Sequence, residues 1–255
     1  FFCYFCRMKK VIIITASFLL FGLFAQAQTP TVKAKDWSKI DLTGRAADHL
    51  MFQFGTDIWT GKPDSVNTGN GFSRHFNIYF MYDRPFKSDP HYSAAFGAGI
   101  GTSNVFFDDR TLVDVKSTAN SLPFRKLDSL SSRFSKSKVT TIYVQLPVEL
   151  RYYTNPENPS KSWKYAAGLK VGTLLKSYTK SKNYINGAGN SVYGKSYVEK
   201  RIGNRFFGAT NIELTGRVGY GMISFDMGYQ VTGVLRDGFG PVMNKVSAGI
   251  TISGL

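Results

Sequence analysis

Thr141-Ile-Tyr-Val-Gln-Leu-Pro-Val-Glu-Leu-Arg-Tyr-Tyr153 alternates without a break. Ile142, Val144, Leu146, Val148, Leu150 and Tyr152 fall on one parity; Tyr143, Gln145, Pro147, Glu149, Arg151 and Tyr153 fall on the other. Successive side chains of a strand point to opposite faces, so the segment has one apolar face and one face carrying Glu149 and Arg151. About ten such residues, tilted, cross the hydrocarbon of a bilayer. A strand buried on both faces reads instead as an unbroken apolar run. The stretch predicts a wall strand of a membrane β-barrel.

Seven further segments obey the same rule: 48–59, 72–83, 91–104, 162–178, 205–218, 222–235 and 244–253. Their apolar faces carry, for example, Phe54, Phe76, Phe96, Leu169, Leu214, Phe225 and Ile250. The opposite faces carry His49, Asp57, His75, Asp83, Lys170, Lys176, Glu213, Arg217 and Asp226, together with the small run Ser93, Ala95, Gly97, Gly99 and Gly101. Between segments, long polar connections (61–71, 106–138, 179–204, 236–241) alternate with short ones (84–90, 155–161, 219–221). That rhythm is expected of surface loops at one end of a barrel and tight turns at the other, with both termini on the short-turn, periplasmic side. Tyr82, Tyr92, Tyr152, Trp163 and Tyr165 lie outward beside the short turns, and Tyr220 within the turn 219–221, as an aromatic girdle. The fold class is therefore all-β: an eight-stranded, antiparallel, up-and-down transmembrane β-barrel.

A soluble, lipocalin-like ligand-binding barrel is the rival architecture, with polarity reversed. The mixed-sign set Asp57, His75, Asp83, Glu149, Arg151, Lys170, Glu213, Arg217 and Asp226 suits pairing inside a narrow lumen, and the glycine run suits a crowded interior.

Met8-Lys9-Lys10, the apolar run to Phe24 and Ala25-Gln26-Ala27 read as a signal peptide over 8–27. Residues 1–7 then read as an over-extended start, 28–47 as a periplasmic lead-in with Trp37 and Ile40 as docking residues, and 48–255 as the barrel. Both cysteines, Cys3 and Cys6, precede the cleavage site, so neither disulfide nor thiol-bound metal is expected in the mature chain. Removing 27 of the 255 residues leaves 228, and loss of Arg7, Lys9 and Lys10 takes the net charge from +15 to +12. For an exported chain, that excess points to lipopolysaccharide or another anionic surface rather than nucleic acid.

The three histidines, His49, His75 and His91, form no spacing with a serine and a carboxylate that would mark acyl transfer, and no metal or phosphate motif appears. A non-enzymatic protein without cofactor is expected. Eight strands leave an interior that side chains nearly fill, so ion pairing is favoured over a narrow small-solute channel. The loop 179–204 carries Lys180, Lys182, Lys195, Lys200 and Arg201 against the single acid Glu199, with Tyr184, Tyr193 and Tyr197 interleaved. It is the candidate extracellular surface for lipopolysaccharide or an envelope protein partner.

Asp48-His-Leu-Met-Phe-Gln-Phe-Gly55, Phe72 to Tyr82, Leu146-Pro-Val-Glu-Leu-Arg151, Gly168-Leu-Lys-Val-Gly172 and Thr215-Gly-Arg-Val-Gly-Tyr-Gly221 resemble the outer-membrane β-barrel family widespread in Bacteroidetes. That family includes PorT-like proteins. The resemblance spans roughly 48–255 and implies an outer-membrane, porin-like barrel in the cell envelope, with some members tied to secretion. The chain departs from it in ending Ser253-Gly-Leu255 rather than on an aromatic residue.

Overall fold

The computed structural model describes residues 49–63, 66, 68, 73–127 and 132–254, all within one compact unit. The expected start (1–7), signal peptide (8–27) and lead-in (28–47) lie outside the described residues, as do Phe72, Asp128 and Leu255.

Eleven strands are described: β1 Leu50–Thr60, β2 Arg74–Pro85, β3 Tyr92–Phe107, β4 Thr111–Val113, β5 Phe124–Lys126, β6 Arg133–Tyr153, β7 Trp163–Ile185, β8 Val198–Ile202, β9 Thr210–Tyr220, β10 Ile223–Gln230 and β11 Asn244–Ser253. Eight of them form an antiparallel ring in the order β1-β2-β3-β6-β7-β9-β10-β11, which closes where β11 pairs with β1 over Met51↔Ser253 to Thr60↔Asn244. A closed ring leaves no strand edge unpaired, the condition for placing backbone in lipid.

The alternation decides which way each wall strand faces. Phe54, Ile58, Phe80, Phe96, Leu146, Leu150, Leu214, Phe225, Met227 and Ile250 are exposed, whereas Gln53, Asp57, Gln145, Glu149, Lys170, Glu213 and Asp226 are buried. Apolar outside and polar inside is the membrane arrangement, and the opposite of a lipocalin. Gly99 and Gly101 serve the interior: a Cβ at Gly99 would meet the Tyr79 ring, and one at Gly101 the Gln145 amide.

At the short-turn end the aromatic girdle is continuous over several strands. Tyr82 packs on Phe96 at 5.3 Å, Tyr92 on Tyr152 at 5.1 Å, Tyr152 on Tyr165 at 6.2 Å and Trp163 on Tyr220 at 5.7 Å between ring centroids. Tyr220 is the last residue of β9, paired with Ile223, and not part of the turn; Gly221, at φ 59°, makes it.

Other expectations need correcting. The segments 106–138 and 179–204 are not simple loops. The first contains the β4–β5 hairpin and the opening of β6; the second contains the end of β7 and all of β8. β9 starts at Thr210 rather than 205, and β10 ends at Gln230 rather than 235. Lys176 points outward, because the β6–β7 register jumps between Ile142 and Tyr143 and one extra β7 residue reverses the parity. His49 is exposed, stacking on Phe80 instead of entering the lumen.

Candidate functional site

All nine residues expected to line the lumen are buried and fall into three hydrogen-bonded groups. Toward the short turns, Glu149 Oε2 accepts from Arg151 Nε at 2.8 Å and from Arg217 Nη2 at 2.9 Å. Arg151 also approaches Asp83 at 3.6 Å, and Asp83 accepts from the Ser93 hydroxyl at 2.6 Å. Further along the axis, Glu213 is shared by Lys245 at 2.8 Å and Lys170 at 3.7 Å. Lys170 also donates to Gln53 Oε1 at 2.8 Å; Gln53 passes a hydrogen bond to Thr251, which donates to Asp226 at 2.8 Å. Asp57 accepts from His75 at 2.9 Å and from the Ser103 hydroxyl.

Among the described residues, five carboxylates (Asp57, Asp83, Glu149, Glu213, Asp226) and five cations (Arg151, Lys164, Lys170, Arg217, Lys245) line the lumen. Charge removed from water is tolerable when paired and hydrogen-bonded, and costly when not. Lys245 was absent from the expected set although alternation supplies it, whereas Lys164 falls on the polar face of its segment by the same alternation. Val246 faces outward, so Lys245 must face in; Trp163 and Tyr165 do the same for Lys164.

Ser103, Asp57 and His75 lie together but in the wrong order for nucleophilic catalysis. The carboxylate sits between the serine and the histidine, so the imidazole has no hold on the hydroxyl proton.

Above the network, at the long-loop end, the connections fold into an apolar cap. Trp59, Val105, Phe107, Val113, Val115, Leu122, Phe206, Phe207, Val234, Leu235 and Met243 form one buried cluster. Between cap and network a cavity of about 20 Å³ remains beside Trp59, Tyr143, Gln145, Asn211 and Lys245. That is room for about one water.

The basic residues of 179–204 do not form one patch. Lys180 and Lys182 lie on the outer face of β7, Lys200 on the outer face of β8, and Lys195 in the exposed loop between them. Arg201 turns the other way, reaching Glu199 at 2.5 Å and Asp114 at 2.7 Å, and the Glu199 hydrogen bond with both carboxylates holds its guanidinium more firmly protonated than usual. On that side Tyr184, Tyr193 and Tyr197 stack in sequence beside Arg133 and line a groove of about 370 Å³.

No curated protein matches the sequence. Residues 26–232 match the family described as outer membrane protein beta-barrel domain, a span that stops short of β11, the strand that closes the ring. With apolar walls, a charge-paired lumen and this match over most of its length, the chain belongs to the outer membrane protein beta-barrel domain family.

Proposed function

We propose that this is a non-enzymatic, non-conducting barrel with a structural and interaction role in the outer membrane, its short turns and termini toward the periplasm. One observation carries the reading: paired charges fill the lumen, and the cavity between them and the apolar cap beside Trp59 and Lys245 holds only about 20 Å³. A solute path would need both the ion pairs and the cap to part. The activity then resides on the long-loop end, where Lys180, Lys182, Lys195 and Lys200 on one side, and Arg201 with the tyrosine groove on the other, offer surfaces to lipopolysaccharide or an envelope partner. The resemblance to PorT-like proteins of Bacteroidetes supports a secretion-related assembly as the setting.

The test is conductance in planar bilayers. The purified, folded barrel is expected to leave the bilayer at its background leak; steady unitary steps would sink the plugged reading in favour of a narrow channel.

A further inference from the structure

β6 and β7 run well past the apolar wall, and β8 joins them there. Their inner faces carry small hydroxyls: Ser137 and Ser181 touch at 3.2 Å, and Thr179 donates to the Val113 carbonyl. Their outer faces carry lysines in register. Lys136 is opposite Lys182, Lys138 opposite Lys180, and Lys180 opposite Lys200. Like charges directly opposed across strands destabilise a sheet. Asp114 and Glu199 do not relieve them, being engaged with Arg201 on the other face. None of these five lysines makes an ion pair among the described residues.

Two features show the row as a built surface. Lys138 lies over the Phe106 ring at 5.5 Å and donates to Asn104 at 2.7 Å, while Lys200 lies over Tyr178 at 4.1 Å. The ammoniums are thereby held against the sheet. Partial burial, and then the neighbouring charges of Lys180, Lys182 and Arg74, hold the Lys138 ammonium below the ordinary lysine pKa. Below the lysine row in the same strands, Lys176 and Thr173 are the last polar residues on the outer face of β7, and beyond these the outer face carries Val144, Leu146 and Val148 on β6 and Leu169 and Val171 on β7. Lys138 stands four residues beyond Ile142, about 13 Å along the strand, which is headgroup depth for a lipid lying on that wall.

We propose that this lysine row binds the phosphorylated headgroup of a membrane lipid, whose acyl chains lie down the apolar strip of β6 and β7. Neighbouring strands are about 4.8 Å apart, so two facing ammoniums can share the oxygens of one phosphate, and the third strand extends the row to a second group. The continuous apolar strip beneath selects a lipid over a soluble anion. The proposal rests on the membrane reading above and deepens it: the lipid contact belongs to strand faces, includes Lys136 and Lys138, and leaves out Arg201.

The experiment uses the full barrel folded in neutral phosphatidylcholine vesicles doped with bisphosphorylated lipid A or with its dephosphorylated form, followed by mild detergent extraction and native mass spectrometry. Retention of the phosphorylated lipid is expected at least tenfold above that of the dephosphorylated one. The Lys138→Gln/Lys180→Gln/Lys200→Gln variant should lose that preference; the Arg84→Gln/Lys87→Gln/Lys161→Gln variant, equally discharged at the short-turn end, should keep it. In neutral detergent without lipid, the first variant should melt above the wild type, because its repulsion is gone; a merely structural role would lower the melting point. Should it not fold, Lys180→Gln alone carries the same two readings. Equal retention of both lipids, undiminished binding by the lysine variants, or displacement by inorganic phosphate as readily as by lipid would each overturn the proposal. A conducting barrel would fail the plugged reading and leave this one standing.

Discussion

Lys245 Nζ on β11 reaches Glu213 Oε2 on β9 at 2.8 Å, spanning the intervening β10, where Gly228 lies under the Glu213 carboxylate. A Cβ at Gly228 would collide with the Glu213 carboxylate and the Ser247 hydroxyl, so the missing side chain is what lets the pair cross. The bridge ties the strand that closes the ring to the far side of its neighbour.

Breaking that bridge from one side leaves a buried charge alone. Lys245→Met should destabilise the barrel by about 3–5 kcal/mol, read as a lower urea midpoint in vesicles. Lys245→Met with Glu213→Gln should recover part of the loss, since no charge is then stranded. A double variant as unstable as the single one would contradict pairing as the cause.

The cap and the ion pairs are separate barriers. Replacing Phe206 and Phe207 by serine should loosen the long-loop end, yet conductance should stay at background because the Glu149 and Glu213 networks lie deeper. Current from the cap variant alone would show that the lumen pairs do not seal the barrel.

Glycines divide by what a side chain would meet. Gly99→Val should cost about 1–3 kcal/mol or block folding, since its added atoms enter the Tyr79 ring and the β2 backbone. Gly216→Ala, with nothing within 4 Å of the new methyl, should fold as the wild type does. Heat-modifiable gel migration separates the two outcomes.

Asp89, in the turn before β3, accepts from the His91 imidazole at 2.7 Å and from its backbone N–H at 3.0 Å. These bonds, the imidazole's first, hold its carboxyl below the ordinary 3.8. A carboxyl depressed in the folded state contributes stability above its unfolded value and loses it as pH falls through the folded one. Unfolding midpoints should therefore drop on acidification below about 4, and the drop should be smaller in Asp89→Asn. The site is half exposed, so the difference will be small.

The barrel was legible because lipid outside and a wet, narrow lumen inside impose a strict period of two. Parity alone places Asp57, Glu149, Arg151 and Glu213 on the inner face. It misplaces Lys176, since a bulge leaves no mark in the residue pattern. The extensions of β6 and β7 were hidden for a different reason. Beyond the bilayer the outer face no longer has to be apolar, so Ser135-Lys136-Ser137-Lys138 alternates small with cationic and resembles a loop. The cap was not legible either: Phe206, Phe207, Val234 and Leu235 come from connections with no period, and only the ring brings them together.

The β1–β11 seam has a kinetic consequence. Phe52 pairs with Ile252, so the contacts that remove the last open edges join residues 200 positions apart. Contacts so distant in sequence make folding slow, because the chain must lose its freedom before they repay it. Until β11 arrives, β1 and β10 are adhesive strand edges beside a broad apolar wall, a species that aggregates unless a holding chaperone shields it. Deleting Asn244–Ser253 should trap the chain in that state, making this short segment the commitment step of assembly.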